Sequence, residues 1–438
     1  MDIRNKASRI DLFTLKSVQM RAFHMTWFAF FLCFFGWFGI APLMAVVRDD
    51  LGLSKGQIGN IMIASVAITV AVRLIIGPMC DRFGPRRTYT GLLALGSVPV
   101  MCVGLADSYE TFLLARLAIG AIGAAFVITQ YHTSVMFAPG VVGTANATTA
   151  GWGNLGGGIT QMVMPLVLTG ILFLGVDKTH AWRLAMVVPG LVLLVAALAY
   201  WRFTQDCPDG DFKDLRAAGR LPPAGGGKGK GGFLTALSDI RVWALFIAYG
   251  ACFGVELTLH NIAAIYFFDT FKLDLATAGI IAGLFGSMSL FARTLGGFLS
   301  DRWAGQAGLQ ARVRLLFLVL FAEGLALILF SQMTVLWVAV TAMLFFSLFV
   351  QMGCGATFGI VPFVNRKALG SVSGIVGAGG NMGAVAAGFL FKAEGITYQQ
   401  GLLYLGIAVT LASLPTLLIR FTEGVVEEVR GVVPVPAE

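Results

Sequence analysis

The chain contains Arg73-Leu-Ile-Ile-Gly77-Pro-Met-Cys-Asp81-Arg82 and, 220 residues later, Arg293-Thr-Leu-Gly-Gly297-Phe-Leu-Ser-Asp301-Arg302. Arginine, glycine, aspartate and arginine recur in both stretches at the same spacing. A second pair follows in the same order, Gly-Trp-Gly-Asn-Leu-Gly at 151–156 and Ala-Gly-Gly-Asn-Met-Gly at 378–383. Two matches in the same order predict that the two halves of the chain are related copies.

The residues around these stretches are too apolar for a water-soluble protein. Hydrophobic residues make up 57% of the 438-residue chain, and Asp, Glu, Lys and Arg only 12%, whereas a soluble domain carries roughly 25% charged residues. The net charge of +8 does not indicate a nucleic-acid partner, because the cations are placed where a membrane protein needs them. Long apolar runs without period-two alternation predict membrane-spanning helices rather than a barrel.

Twelve apolar stretches are long enough to span a membrane, which takes about 20 residues. We number them span one to span twelve, and they lie near 22–47, 57–79, 88–106, 110–136, 148–173, 182–202, 241–269, 275–299, 313–331, 334–358, 369–391 and 399–419. The repeat therefore pairs span two with span eight and span five with span eleven. The predicted fold is an all-α membrane protein with twelve helices in two pseudo-symmetric six-helix bundles.

The cationic residues orient the chain, because cytoplasmic connections carry an excess of Lys and Arg. With a cytoplasmic N-terminus, 22 of the 31 cations lie on the cytoplasmic side, six on the other side, and Arg73, Arg116 and Arg293 within spans. We therefore expect both termini in the cytoplasm and a multi-pass protein of the plasma or inner membrane. The predicted division is a first bundle at 1–202, a flexible glycine-rich linker at 203–240, a second bundle at 241–422 and a cytoplasmic tail at 423–438.

Two of the buried arginines indicate an anion site. Arginine near the centre of a span costs about 2.5–3.5 kcal/mol on the insertion scale, so it is expected to face the protein interior and to have a function. Arg73 and Arg293 occupy equivalent positions in the repeat, and a planar guanidinium suits an oxyanion. The alternative is that each arginine pairs with a carboxylate, for which Glu256 and Glu323 are the clear intramembrane examples. The anion should be small, because no further buried cationic cluster is present.

The loop after span two resembles a motif of the major facilitator superfamily, in which it lies between spans two and three. The matching residues are Gly77, Asp81, Arg82, Gly84, Arg86 and Arg87, with a reduced copy at Gly297, Asp301 and Arg302. The resemblance covers nearly the whole chain and implies a cytoplasmic charge network that holds one conformation. Arg116, followed by Gly120 and Gly123, resembles a second motif of that superfamily, which we interpret as mostly structural.

The glycine-rich segments of spans five and eleven resemble the paired signature of the nitrate/nitrite porter family. His24-Met-Thr-Trp-Phe-Ala-Phe-Phe and Phe253-Gly-Val-Glu-Leu-Thr258 are similar to its assimilatory nitrate-uptake branch. The resemblance implies a secondary active transporter that imports nitrate, and nitrite as well, by alternating access. The substrate residues that it implies are Arg73, Arg293, Asn154, Tyr249, Phe253, Phe126 and Asn381.

Concentrative nitrate uptake needs a driving force, because the membrane potential opposes anion entry by about 2.3 kcal/mol per 100 mV. Glu256 and His260 in span seven are candidates for proton coupling, although Glu256 is equally suited to a structural pairing with an arginine. The branch resemblance favours proton symport. Nitrate/nitrite antiport and exchange of other small anions or phosphate esters remain alternatives. An anion channel or a nitrate sensor is the alternative from another class.

The sequence gives no reason to expect an enzyme. We find no nucleophile triad, no metal-ligand spacing and no dinucleotide motif, and the loops are short. The expected partners are nitrate, nitrite, protons and the lipid bilayer, without a cofactor, a metal or nucleic acid. We expect the protein to be a monomer.

Overall fold

The computed structural model describes residues 3–138, 141–221, 230–365 and 369–421. Within these ranges, twelve helices are long and apolar enough to cross a membrane, and each coincides with a predicted span. Their bounds are Val18–Leu51, Lys55–Phe83, Pro85–Leu105, Tyr109–Met136, Val142–Phe173, Lys178–Phe203, Ile240–Phe271, Leu275–Ala307, Leu309–Ser331, Leu336–Val364, Ser371–Lys392 and Tyr398–Leu418. The prediction of twelve spans is confirmed. The predicted tail at 423–438 and linker residues 222–229 lie outside the described residues.

Local sequence sets the starts of several spans. Span two begins after Ser54, whose hydroxyl accepts from the Gln57 amide at 3.2 Å, while the Gln57 side chain accepts from the Ser54 amide at 2.9 Å. Thr397 and Gln400 form the same reciprocal pair before span twelve. Each pair satisfies two of the backbone N–H groups that a helix start leaves without a partner.

Short 3₁₀ segments interrupt spans one, four and eight, and the one in span one is Ala41–Leu43. In span four, Ala121–Ala124 separates two α-helical parts, and in span eight Met288–Leu290 does the same. The interruption of span four lies just before Phe126 and that of span eight just before Arg293, both of which are predicted substrate residues. A 3₁₀ stretch within a helix commonly marks a hinge or a functional position.

The chain forms two compact units. The first comprises Met1–Gly227, Leu257–Leu290 and Gly388–Ile396. The second comprises Lys228–Glu256, Phe291–Ala387 and Thr397–Glu438. Spans seven, eight and eleven therefore contribute residues to both units. The predicted division into bundles at 1–202 and 241–422 follows from the sequence repeat and stays a prediction.

Glycines of the repeat allow close helix packing inside each unit. A Cβ atom on Gly156 of span five would lie 2.0 Å from the Phe31 carbonyl oxygen, and one on Gly383 of span eleven would lie 2.2 Å from that of Gly250. Gly156 and Gly383 are equivalent in the repeat, and each meets the backbone of another span. Small residues at such contacts let membrane helices approach closely.

The first part of the predicted linker is folded rather than extended. A short helix, Phe212–Ala217, follows span six, and Cys207, Phe212, Leu215 and Leu221 form a buried cluster with Val135 of span four. A second helix, Lys230–Leu237, precedes span seven. Among the described residues, the predicted linker therefore contains two short helices, one near each of its ends.

We predict that Gly156→Ala destabilises the protein by about 1–3 kcal/mol, the usual cost of overpacking, because the new methyl group would meet the Phe31 carbonyl. The measurement is the thermal unfolding of the detergent-solubilised protein. The matched control is Gly170→Ala in the same span, where nothing lies within 4 Å of the added Cβ. Equal unfolding temperatures for the two variants would contradict the packing argument.

Candidate binding site around Arg293

Arg293 of span eight has a carboxylate partner in the second unit. Its Nη2 donates to Glu256 Oε2 at 2.5 Å, and its Nε donates to Gln351 Oε1 at 3.1 Å. The Arg293 side chain is 7% exposed and that of Glu256 is fully buried. The sequence left two partners open for Arg293, a bound anion or a carboxylate side chain. In the structure the partner is a carboxylate, that of Glu256.

Aromatic rings form one wall beside this ion pair. The Arg293 Cζ atom lies 5.8 Å from the centre of the Phe253 ring. Tyr249 stacks on Phe253 with ring centres 5.0 Å apart and an angle of 12° between the planes. Phe358 meets Tyr249 edge-on at 5.0 Å. A cation over an aromatic face is favourable, more so when both are removed from water.

Span eleven completes the surroundings of the aromatic wall. A Cβ atom on Gly380 would lie 2.4 Å from Phe253 Cδ1 and 3.0 Å from Tyr249 Cδ1, so only glycine leaves these rings where they are. The next residue, Asn381, is fully buried. Neither its Nδ2 nor its Oδ1 has a hydrogen-bond partner among the described residues. A buried amide without partners is costly, so Asn381 is suited to bind a ligand.

The first unit repeats the pairing of arginine and phenylalanine. Arg73 of span two lies with its Cζ atom 5.4 Å from the centre of the Phe126 ring, and its Nη2 donates to the Gly123 carbonyl at 3.4 Å. The Phe126 ring is 5.9 Å from that of Phe30. Phe126 is one of the substrate residues that the family resemblance implies, and it lies beside Arg73.

Span five carries the equivalents of the span-eleven residues. Asn154 is 1% exposed, and a Cβ atom on Gly153 would lie 2.0 Å from the Phe30 ring. Gly153 and Gly380 are equivalent in the repeat, and each faces a phenylalanine ring in its own unit. Equivalent glycines of the sequence repeat therefore make the same kind of contact, with a phenylalanine ring, in both units.

The two candidates for proton coupling lie in different units, although both belong to span seven. Glu256 is the partner of Arg293 in the second unit. His260 is 1% exposed and lies in the first unit, with its ring centre 5.1 Å from that of Phe38 and 6.0 Å from that of Phe285. A Cβ atom on Gly157 would lie 2.8 Å from His260 Nε2. His260 thus packs where small residues make space for its ring.

Arg116 has a structural setting. It is fully buried, its Nη1 donates to the Trp37 carbonyl at 2.8 Å, and its Nη2 donates to Asn261 Oδ1 at 3.3 Å. These bonds join spans one, four and seven inside the first unit. The setting agrees with our interpretation that Arg116 is mostly structural.

The motif after span two is joined to the start of the linker. Asp81 Oδ1 accepts from the Tyr131 hydroxyl at 2.9 Å. Arg86 pairs with Asp211 at 2.6 Å and lies 4.3 Å above the Trp201 ring. Arg216 of the linker helix donates to the carbonyl of Arg82 at 2.7 Å. The motif therefore has four partners that were not among the predicted site residues, two from the linker and one each from spans four and six.

Asp206 holds this connection together. Its Oδ1 accepts from the Arg86 amide at 2.9 Å and its Oδ2 from the Phe212 amide at 2.8 Å, so that one carboxylate caps two helices. Gly84 has a φ angle of 87°, and a Cβ atom there would lie 2.1 Å from Asp206 Oδ2. Burial raises the pKa of Asp206 to about 6.

The remaining motif residues have fewer contacts. Asp301 in the second unit pairs with Arg312 of span nine at 2.5 Å. Arg87 and Arg302 are exposed. A Cβ atom on Gly77 or Gly297 would have nothing within 4 Å. The matching glycines of the two copies are therefore not required by close packing in this state.

Gln351, which accepts a hydrogen bond from the guanidinium of Arg293, was not among the predicted site residues. Its signal is an amide within the apolar run Leu-Phe-Val-Gln-Met-Gly-Cys at 348–354. A buried polar side chain in a membrane span is a functional candidate by itself. The sequence alone gives no distance between span ten and span eight, so this pairing needed the structure.

The chain is similar to a family of membrane transporters and to several nitrate transporters within it. The family model described as Major Facilitator Superfamily matches residues 26–388. "High affinity nitrate transporter 2.5" of Arabidopsis thaliana is 42% identical over 97% of this chain and 84% of its own length. "High-affinity nitrate transporter 2.3" of Oryza sativa subsp. japonica is 40% identical over 95% of this chain and 81% of its own. "Nitrate/nitrite transporter NrtP" of Picosynechococcus is 31% identical over 84% of both.

A solved structure confirms the fold. A bacterial homologue of the human lysosomal transporter Spinster, in an inward-facing and unoccupied conformation, matches with a TM-score of 0.71 at 16% identity over 97% of this chain and 100% of its own. Identity this low supports the fold alone. The predicted fold class and family are confirmed, and the relatives are named as transporters rather than enzymes. The chain is a multi-pass membrane protein.

We predict that Gly380→Ala weakens nitrate binding at the Arg293 site about tenfold, equivalent to about 1.4 kcal/mol, because the new methyl group would displace the Phe253 ring. Nitrate affinity of the purified protein, measured by calorimetry, tests this. Gly374→Ala in the same span is the matched control, since nothing lies within 4 Å of its added Cβ. If both variants bind nitrate as the unmodified protein does, the aromatic wall does not contribute to the site.

Proposed function

We infer from the family to which this chain belongs, the nitrate/nitrite porter family of the major facilitator superfamily, that it carries nitrate, and nitrite as well, across a membrane. The observation that carries the proposal is a buried guanidinium, Arg293, held between a carboxylate, an amide and an aromatic wall. The charge bias of the connections supports a plasma or inner membrane location with both termini in the cytoplasm.

Nitrate takes the place of the Glu256 carboxylate on Arg293. Both groups are planar oxyanions, and a guanidinium binds either through two parallel N–H···O bonds. The flat face of nitrate suits the Phe253 ring, and its third oxygen is left for an amide donor such as Gln351 or Asn381. Arg73 is proposed to bind the same anion, a proposal that rests on its equivalence to Arg293 in the repeat and on its own phenylalanine partner.

Proton symport follows from the competition for Arg293. If nitrate and ionised Glu256 both remained beside Arg293, two negative charges would share one buried cation. A proton on Glu256 removes that conflict, because a like charge nearby favours the neutral carboxyl. Nitrate and a proton therefore load together, and both are released when the ion pair forms again. Joint loading of nitrate and a proton lets the proton gradient drive alternating access. The 3₁₀ segments next to Phe126 and Arg293 are suitable hinges for it.

We predict that Arg73→Lys raises the KM for nitrate at least about tenfold. The variant keeps the charge but loses the planar fork, and a hydrogen bond to a charged group contributes about 1.5–3 kcal/mol. Initial rates of nitrate uptake by cells or proteoliposomes measure the effect. Arg202→Lys at the exposed end of span six is the control. Unchanged KM in Arg73→Lys would exclude bidentate recognition by this residue.

We predict that nitrate uptake by proteoliposomes follows an imposed inward proton gradient and acidifies the lumen. Glu256→Gln mimics the protonated carboxyl, so it should bind nitrate as well as or better than the unmodified protein while losing acceleration by the gradient. Uptake that requires nitrite inside and ignores the gradient would make the protein an antiporter. Uptake without stimulation by nitrate on the opposite side would indicate a channel, and no movement of nitrate would refute the substrate.

A further inference from the structure

A second buried carboxyl lies in the unit that holds Arg293. Glu323 belongs to span nine, Leu309–Ser331, and is fully buried. Neither of its carboxyl oxygens has a hydrogen-bond partner among the described residues. Glu323 thus differs from Glu256, which is equally buried but is paired with Arg293 at 2.5 Å.

Glu323 lies across Gly353 of span ten from the Arg293 site. A Cβ atom on Gly353 would lie 3.3 Å from Glu323 Oε2 and 3.1 Å from Cys252 Cβ. The adjacent residue, Cys354, has its Sγ 3.7 Å from Glu256 Oε2. A glycine at position 353 therefore leaves space for the Glu323 carboxyl beside the residues that contact Glu256.

The groups that face Glu323 are acidic or neutral. The titratable groups near it among the described residues are Cys252 and Glu256 on span seven and Cys354 on span ten. On the side of span twelve, the neighbouring Gly324 packs against the neutral side chain of Thr410. On span eight, Arg293 donates to Glu256 and Gln351.

These surroundings select the protonated form of Glu323. A buried carboxylate that lacks both a cation and hydrogen-bond donors neutralises by taking up a proton. The two carboxyls of the unit are therefore in different states, with Glu256 ionised on Arg293 and Glu323 neutral. An ionisable residue inside a membrane span whose charge is not needed for packing is a candidate for proton transport.

We propose that Glu323 is the second proton-carrying residue of the transport cycle, beside Glu256. The inference rests on the proposed proton symport. Each carboxylate forms one O–H bond with a proton from the outer solution and gives that proton up to the inner solution, so the glutamates are regenerated and nothing is oxidised or reduced. Glu323 loses its proton in the state of the cycle in which water reaches it.

This assignment has an electrical consequence. One proton with one nitrate moves no net charge, so the membrane potential would not drive uptake. Two protons with one nitrate move one net positive charge inward, and a negative interior then favours uptake. Glu323 would accordingly decide whether the potential drives transport, whereas Glu256 links nitrate binding to the proton gradient.

The test compares Glu323→Gln with the unmodified protein in proteoliposomes. Glutamine matches the shape of the neutral carboxyl but cannot release a proton. The unmodified protein should take up two protons per nitrate and respond to a potassium-valinomycin potential. Glu323→Gln should take up one proton per nitrate, follow the pH gradient and lose the response to potential. Glu394→Gln, at an exposed position, is the control and should keep both.

The outcomes separate this inference from the proposed function. If Glu323→Gln keeps the proton-to-nitrate ratio and the response to potential, Glu323 is structural and symport through Glu256 stands. If the unmodified protein moves nitrate without protons, symport is wrong and this inference is overturned with it. Should Glu323→Gln fail to fold, Glu323→Asp retains a titratable group and should retain two protons per nitrate, and a ratio of one there would overturn the assignment.

Discussion

The structure of the second unit depends on one requirement, that a guanidinium buried among apolar helices keeps an anionic partner. Removing one member of a buried ion pair typically costs about 3–5 kcal/mol, because the other charge is left without compensation. Arg293 meets the requirement with Glu256, and Gln351 satisfies a further N–H group. The site is therefore suited to exchange one anion for another and poorly suited to lose its anion altogether. The proposed loading of nitrate together with a proton rests on this requirement.

Both units contain an arginine beside a phenylalanine ring, and equivalent glycines leave space for a phenylalanine ring in each unit. Each arginine lies over a phenylalanine, Arg73 over Phe126 and Arg293 over Phe253. Gly153 and Gly380 each leave room for a phenylalanine ring, and Gly156 and Gly383 each let a neighbouring backbone approach. A side chain at Gly153 or Gly380 would displace an aromatic ring, and one at Gly156 or Gly383 would push two helix backbones apart. The small residues of spans five and eleven thus position the rings as well as the helices.

Sequence reasoning succeeded where the signal is local. Spans are predictable because their length and hydropathy are properties of contiguous residues, and the equivalence of Arg73 and Arg293 is predictable because spacing survives in a repeat. It failed where partners come from distant parts of the chain. Gln351 lies 58 positions from Arg293, and no periodicity links them. Glu256 and His260 are four residues apart, a spacing that places two residues on one face of a helix and suggests one site. The helix Ile240–Phe271 is long enough to contribute residues to both units, and the two side chains belong to different units.

The linker is a second case in which residues distant in sequence determine a structure that local composition does not predict. Its glycines and charges predict flexibility, but Asp206 caps the helix that begins span three and the helix Phe212–Ala217 with one carboxylate. Gly84 is needed there for two reasons, since its φ angle of 87° suits glycine and a side chain would collide with Asp206. The glycine that the superfamily motif contains at this position thus has a physical cause in this chain. It allows the Arg86 amide to donate to the linker carboxylate, so that hydrogen bonds join the motif to the start of the linker. Because one carboxylate holds both helix starts, we expect a displacement of the loop after span two to displace the helix Phe212–Ala217 with it.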